Sequence, residues 1–345
     1  GLLSMRKSNT ATTLLMVTIG TALIAEMREL TQGTGRPFFK ALMLGIAFSA
    51  SIGGVATLVG TPTNPIFVSV AEQLYGETFS FASWLAFAMP FSLLMLAICW
   101  LVLTRWVFPL HRLNISIGRE MIVKEKEALG KMSQEERAVA IVFGVTAFLW
   151  ITRSFILNQF IPGINDTVIA IAAALTLFII PSKSSKNRPL LNWAEAERLP
   201  WGVIILFGGG LSIAAAFQSS GLASWLGLQL TGVSELPLFL IILIVALSVN
   251  FLTEVTSNVA TASIMLPVLA SLADAIGVHP FFLMIPATLA ASCAFMLPIA
   301  TGPNAIVFSS GELQMKDMVK AGIWLNIASS LLISLLVYLV LPVFL

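Results

Sequence analysis

Ser8-Asn9-Thr10-Ala11-Thr12-Thr13 recurs at Ser257-Asn258-Val259-Ala260-Thr261-Ala262, and Val59-Gly60-Thr61-Pro62-Thr63-Asn64-Pro65-Ile66-Phe67-Val68 recurs at Ile299-Ala300-Thr301-Gly302-Pro303-Asn304-Ala305-Ile306-Val307-Phe308. The two parts keep their order and are displaced by about 240 to 250 positions, so the chain reads as two related halves. Each part is an interruption of strongly apolar sequence by small polar residues, Gly and Pro. Such breaks release backbone groups that lipid cannot satisfy, so they have to line a cavity. Interrupted segments at matching places in two halves are a sequence pointer to a transporter binding site near the membrane midplane.

The surrounding text is that of a membrane protein. Of 345 residues, 57% are hydrophobic and 10% charged, too few charges to cover a water-soluble globule. Apolar runs such as Trp84 to Leu103, Ala138 to Ile156, Val168 to Ile180 with its flanks, and Leu325 to Leu345 suit the roughly 20 residues needed to cross a bilayer. The net charge of +2 and the placing of basic residues in short loops give no nucleic-acid patch. Cys99 and Cys293 lie in separate apolar segments and read as buried thiols. His111 and His279 have no second ligand at a metal-like spacing.

Topology follows from the loops. One crossing is expected over residues 38 to 75, broken at Gly60 to Pro65, and a return over 83 to 104. A hairpin over 238 to 276 would enter and leave from the outside, followed by a broken crossing over 282 to 311 and a C-terminal transmembrane helix over 312 to 345. Sixteen of the nineteen Lys and Arg residues then face the cytoplasm, Arg153 sits at an outer end and the C-terminus is outside. The first tip, at residues 8 to 10, would be entered from the inside, so the halves are opposite in orientation, an inverted repeat. Residues 1–82 are the expected first transport half and 201–311 the second. Residues 83–200 would supply scaffold helices, with a charged surface helix over 113 to 137 on the cytoplasmic side. By symmetry, about three further N-terminal scaffold spans, roughly 110 residues, are expected upstream of Gly1.

A hairpin broken at Ser-Asn-Thr presents hydroxyls, an amide and the free N–H groups of a helix start, which favour an anion. Two facing tips would hold a small dianion. Carbonyls released at each break, with Ser, Thr and Asn oxygens, suit a hard cation such as sodium. Cation and anion sharing one tip would raise each other's affinity, which couples them. No Ser, His and carboxylate grouping appears near the motifs, so no catalytic residues and no enzyme are expected. The lack of an intramembrane carboxylate or His pair counts against an intramembrane enzyme, and the duplicated broken-hairpin design counts against a channel-like subunit.

These motifs resemble the divalent anion/sodium symporters, the group of INDY-type dicarboxylate carriers and the animal sodium/dicarboxylate and sodium/citrate cotransporters. The best match is Thr253-Glu254-Val255-Thr256-Ser257-Asn258-Val259-Ala260-Thr261 with Met296-Leu297-Pro298 and the break that follows. The resemblance implies an all-α polytopic membrane protein, with two re-entrant helical hairpins and two broken transmembrane helices, that works as an elevator-type transporter. It implies sodium-coupled symport of small dicarboxylates of the succinate, malate and fumarate class across the plasma (inner) membrane by a homodimer. A sulfate or citrate carrier and a sodium-independent carboxylate exchanger are the alternatives. Carried over by position, Ser8, Asn9, Thr10, Ser257, Asn258, Val259, Thr301 and Pro303 would bind substrate. Ser4, Ser8, Asn9 and Gly60 would form one sodium site, and Thr253, Thr256, Asn258 and Ala300 the other, Gly60 and Ala300 through their carbonyls. Sodium is the only metal implied.

Two places depart from the family pattern. Val259 stands where some bacterial members carry Thr, and a Val like it occurs in the animal carriers. Arg6 and Lys7 stand where the pattern is apolar, and each charge near the midplane costs at least about 2.5 kcal/mol unless it faces water or an anion. They are read either as attraction for a dianion or as irregular sequence at the boundary of a fragment. Glu254, also at membrane depth, is expected either to bond free N–H groups within its hairpin or to act in cation coupling.

Overall fold

Backbone amides that lipid cannot hydrate have to be satisfied within the chain, and a helix does this along its whole length. The computed structural model describes residues 1–5, 8–31, 35–110, 131–161, 163–182, 188–197, 205, 208–209, 212, 216, 219–222, 225 and 235–344. Among these residues there is no strand, only an isolated bridge between Pro181 and Pro189. The main helices are α1 (Asn9–Thr31), α2 (Arg36–Val55), α3 (Thr63–Tyr75) and α4 (Phe81–Leu101), the last running on as a π-helical turn over Val102–Val107. They continue with α5 (Gln134–Thr152), α6 (Asp166–Ile179), α7 (Leu238–Thr253), α8 (Asn258–Ile276), α9 (Phe281–Ala291), α10 (Gly302–Ser309) and α11 (Met315–Phe344). Asn9–Arg28, Arg36–Val55, Phe81–Val107, Asn258–Ile276 and Met315–Val343 are each long and apolar enough to cross a membrane.

Beside an apolar core, burial shows two features uncommon in a soluble protein. Trp106, Phe160, Ile179 and Val343 lie outside at 71%, 78%, 78% and 82% exposure, whereas Asn64, Asn250, Asn304 and Asn326 are fully buried. Apolar side chains facing outward and hydrogen-bonded polar ones inside are what a lipid solvent selects. The chain is an all-helical, multi-pass membrane protein.

The chain divides into two compact units, Gly1–Thr78 with Leu85–Leu113 and Gly202–Leu345, and Phe79–Trp84 with Asn114–Trp201. At the centre of the first lie α2 and α9, almost every residue of α9 being buried. Early and late elements interlock around them. α3 packs on α8 and α9, while α10 packs on α1 and α2. Phe67 meets Phe281 edge-on at 5.8 Å, and Phe48 meets Phe295 at 5.2 Å. α11 packs along α7 and α9. Its inward side is polar, Asn326 and Ser329 reaching Glu254 and Asn250.

In the second unit α5 packs on α6. Arg153 pairs with Asp166 at 2.6 Å, Asp166 also accepts from the Phe81 N–H at 2.8 Å, and the Trp150 indole stacks on Phe81.

Two features differ from the sequence expectation. α11 and α4 from Leu85 onward belong to the same compact unit as the hairpin and the breaks, because their buried polar groups bond its backbone and side chains. Ser92 Oγ donates to the Ile52 carbonyl at 2.9 Å, as Asn326 does to Glu254 at 2.7 Å. Residues 134–137 open α5 rather than closing a surface helix, because Ser133 and Glu136 form a capping box there. Residues 1–5, ahead of α1, form turns. Residues 111–130 of the expected surface helix, together with Arg6, Lys7 and His111, lie outside the described residues, as does most of 201–234.

Two ion pairs join the early elements to the α10–α11 connection. Arg28 binds both oxygens of Glu312 at 2.6 and 2.8 Å, and Lys40 meets Asp317 at 2.9 Å with its partner largely buried. The Lys40–Asp317 pair is expected to show a coupling of about 0.5–3 kcal/mol in a double-mutant cycle of Lys40→Ala and Asp317→Ala. Thermal unfolding in detergent measures it. Strictly additive single effects would show that the two residues act independently.

Candidate functional site

Four helices begin at the breaks. α7 ends at Thr253 and α8 starts at Asn258, with Ser257 extended at its N-cap and accepting from the Ala260 N–H at 3.4 Å. Ser8 does the same for α1, accepting from Ala11 at 3.2 Å. α3 starts at Thr63 behind Pro62, and α10 at Gly302 behind Thr301, whose hydroxyl accepts from the Asn304 N–H at 3.1 Å. All four starts line one cavity of about 400 Å³. No described residue lining it is charged. What positive character it has comes from the dipoles of the helix starts, each roughly half a positive charge.

The breaks are held open by buried amides. Asn64 Nδ2 donates to the carbonyls of Val55 at 3.1 Å and Thr57 at 2.8 Å. Asn304 Nδ2 donates to those of Ala294 at 3.1 Å and Leu297 at 3.0 Å. Neither asparagine was singled out from the sequence. Both stand at the same register of the repeat, the signal that finds them.

Glu254 braces the second break. Its Oε1 accepts from the N–H groups of Phe295 at 2.7 Å and Met296 at 2.9 Å and from Asn326 Nδ2 at 2.7 Å, while Oε2 accepts from Leu297 N–H at 2.9 Å. The expected donors within its own hairpin are thus replaced by donors in the break after α9. The reason is geometric: the unwound stretch 292–301 runs beside the tip and has N–H groups to offer.

Beside the cavity, oxygens converge at two places. Ser4 Oγ bonds the Asn9 carboxamide and donates to the Ala50 carbonyl at 2.6 Å. Without a cation, the carboxamide is satisfied with its nitrogen inward. With its nitrogen inward, Asn9 donates to the carbonyls of Ala50 at 3.0 Å and Gly60 at 3.2 Å. With its oxygen inward, Ser4, Asn9, Ala50 and Gly60 present four oxygens sharing a single proton, a donor set that suits a hard cation. Gly54 and Gly60 make room for it. A methyl on Gly54 would land on the Asn9 carboxamide, and one on Gly60 on the Gly54 carbonyl. At the second place Thr253 Oγ1 bonds Asn258 Oδ1 at 2.9 Å and the Ala291 carbonyl at 3.2 Å.

All eight residues expected to bind substrate, Ser8, Asn9, Thr10, Ser257, Asn258, Val259, Thr301 and Pro303, line the single cavity. Thr10 also packs against Gly302 of α10, where a side chain would strike its hydroxyl. Of the residues expected to hold sodium, Ser4, Asn9 and Gly60 come together, as do Thr253 and Asn258. Thr256 and Ala300 both line the cavity, the Thr256 hydroxyl bonding the Leu252 carbonyl at 2.9 Å and Thr261 Oγ1 at 2.5 Å. Sequence reading missed Ser51, Thr61, Pro62, Val255 and Ile299 in the lining, and the carbonyls of Ala50 and Ala291.

Comparison with known proteins gives the family. The sodium:sulfate symporter transmembrane region matches residues 2–343. A sodium-dependent dicarboxylate transporter SdcS of Staphylococcus saprophyticus is 43% identical over 350 residues, covering 99% of this chain and 67% of its own. The protein of that name from Staphylococcus aureus is 44% identical over 352 residues, covering 99% and 68%. A chain matched almost from end to end, with its broken helices opening on one cavity, belongs to the sodium:sulfate symporter transmembrane family.

Proposed function

We propose that the protein carries small dicarboxylates of the succinate, malate and fumarate class together with sodium across the plasma (inner) membrane. The observation that carries this reading is the convergence of four helix N-termini on one uncharged cavity flanked by two oxygen clusters. An anion with a carboxylate at each end can use both tips at once. Sodium at the flanking clusters would neutralise part of its charge and draw Asn9 and Asn258 into fixed positions, so each ligand favours the other. The names borne by the staphylococcal relatives, sodium-dependent dicarboxylate transporters, support carboxylate over sulfate.

Several further points belong to the same reading. Matched hydrogen bonds support an inverted repeat: Ser4 to Asn9 and Thr253 to Asn258 are displaced by 249 positions, and the Asn64 and Asn304 braces by 240. Both hairpins and both broken helices would move as one body in an elevator cycle, which the gathering of these elements in one compact unit supports. A homodimer, with the C-terminus outside, follows from the family resemblance and from the loop charges. Transport of this kind needs no covalent chemistry.

Uptake of labelled succinate into proteoliposomes under an inward sodium or potassium gradient tests the proposal. Sodium is expected to drive uptake, and Asn9→Ala and Asn258→Ala each to reduce it at least tenfold. Uptake indifferent to sodium would instead make the protein an exchanger, and uptake of sulfate but not succinate would reassign its substrate.

A further inference from the structure

Ala50 and Ala291 occupy equivalent places, each offering its carbonyl to the hydroxyl that pairs with a tip asparagine. The residues that follow them, Ser51 and Ser292, are therefore counterparts, and both are about 1% exposed. They are used differently. Ser292 Oγ is engaged with Thr63 Oγ1 at 2.6 Å and lies 3.5 Å from Thr61 Oγ1. Thr63 corresponds in the repeat to Pro303, which has no hydroxyl. Ser51 Oγ has no hydrogen-bond partner. It does not bond back to its own helix, as Thr288 does to Met284 and Ser334 to Ser330.

A buried hydroxyl without a partner costs free energy that a bound ligand can recover. Ser51 lines the cavity beside Thr61, Pro62, Thr301 and Pro303. Ser4, Ala50 and Gly60 of the neighbouring oxygen cluster do not line it, which favours the anion over the cation as its ligand. We infer that Ser51 is a further substrate-binding residue, its hydroxyl donating to a carboxylate oxygen of the bound dicarboxylate on one side of the cavity only. The inference rests on the dicarboxylate reading above. It makes the site unequal at its two ends, because Ser292 is already tied to Thr63.

The test is sodium-driven uptake of labelled succinate into proteoliposomes by the wild type, Ser51→Ala and Ser51→Cys. Both variants are expected to raise the KM for succinate about fivefold or more. Sodium activation at saturating succinate and the thermal stabilisation by sodium should stay within twofold of wild type. Ser51→Cys keeps the side-chain size but only a weak donor, so it separates hydrogen bonding from packing. An unchanged KM in Ser51→Ala beside an active wild type overturns the assignment alone. A wild-type KM in Ser51→Cys, or loss of folding in both variants, assigns the hydroxyl to packing, and a parallel loss of sodium activation assigns it to the cation cluster. Either result overturns the inference. A wild type that takes up no succinate removes the dicarboxylate reading and this inference with it.

Discussion

Glu254→Gln is expected to reduce sodium-driven uptake at least thirtyfold and to lower the unfolding temperature. The carboxylate accepts four hydrogen bonds at 2.7 to 2.9 Å, three from the main chain of 295–297 and one from Asn326. Glutamine has the same shape, but its NH2 would face a donor wherever it is placed. One charge-assisted bond worth about 1.5–3 kcal/mol is lost, and a buried N–H is left unsatisfied at a further cost of about 1–3 kcal/mol. The damage falls where it matters. Glu254 adjoins Thr253 of the second oxygen cluster, and the segment it holds leads into Ala300 and Thr301 of the cavity. Uptake at varied sodium and succinate should show both apparent affinities impaired, because one side chain positions both ligand sets. A variant with wild-type uptake would reduce Glu254 to a replaceable structural brace.

Gly54→Ala is expected to raise the sodium concentration for half-maximal uptake at least thirtyfold, or to abolish sodium dependence. Helix propensity alone predicts the opposite sign for stability, since Ala exceeds Gly by about 1 kcal/mol in a helix interior. Contact decides otherwise here. The added methyl would overlap the Asn9 carboxamide, which cannot yield because the opposite side of its cluster is filled by Ser4 and the Ala50 and Gly60 carbonyls. Overpacking of a close-packed site typically costs about 1–3 kcal/mol, and the first thing displaced is the Asn9 carboxamide proposed to face sodium. Thermal unfolding with and without sodium separates the two effects. Without sodium the variant should range from as stable as wild type to about 2 kcal/mol less stable, as the overpacking cost outweighs the propensity gain, and it should gain little from adding sodium. If sodium stabilises it as much as wild type, the cluster around Asn9 is not a cation site.

The class of the protein and the positions of its breaks were legible in the text. Lipid imposes a length and an apolarity on every span, and any stretch violating both, as Ser8-Asn9-Thr10 and Gly60-Thr61-Pro62 do, has to face something other than lipid. Recurrence of those violations in two halves marked the breaks, and the eight residues that the family resemblance carried over onto them all line one cavity. Backbone ligands were far harder to read. The carbonyls of Ala50 and Ala291 carry no signature in their side chains, and only the packing of α2 against α1 and of α9 against α7 brings them to Ser4 and Thr253.

Sequence by itself determined the membrane solvent, the helical class, the two halves and the polar breaks, because each is set by local composition and by repetition along the chain. Tertiary structure alone decided how those pieces are used. It placed Glu254 on the far break rather than on its own hairpin, tied the Thr256 hydroxyl to Thr261, and drew α11 in beside α7. It also gave Ser292 a partner in Thr63 while leaving Ser51 with none. The physical reason is that a hydrogen bond is made with whichever donor or acceptor lies within about 3 Å, and for buried groups far apart in sequence that neighbour is fixed by packing.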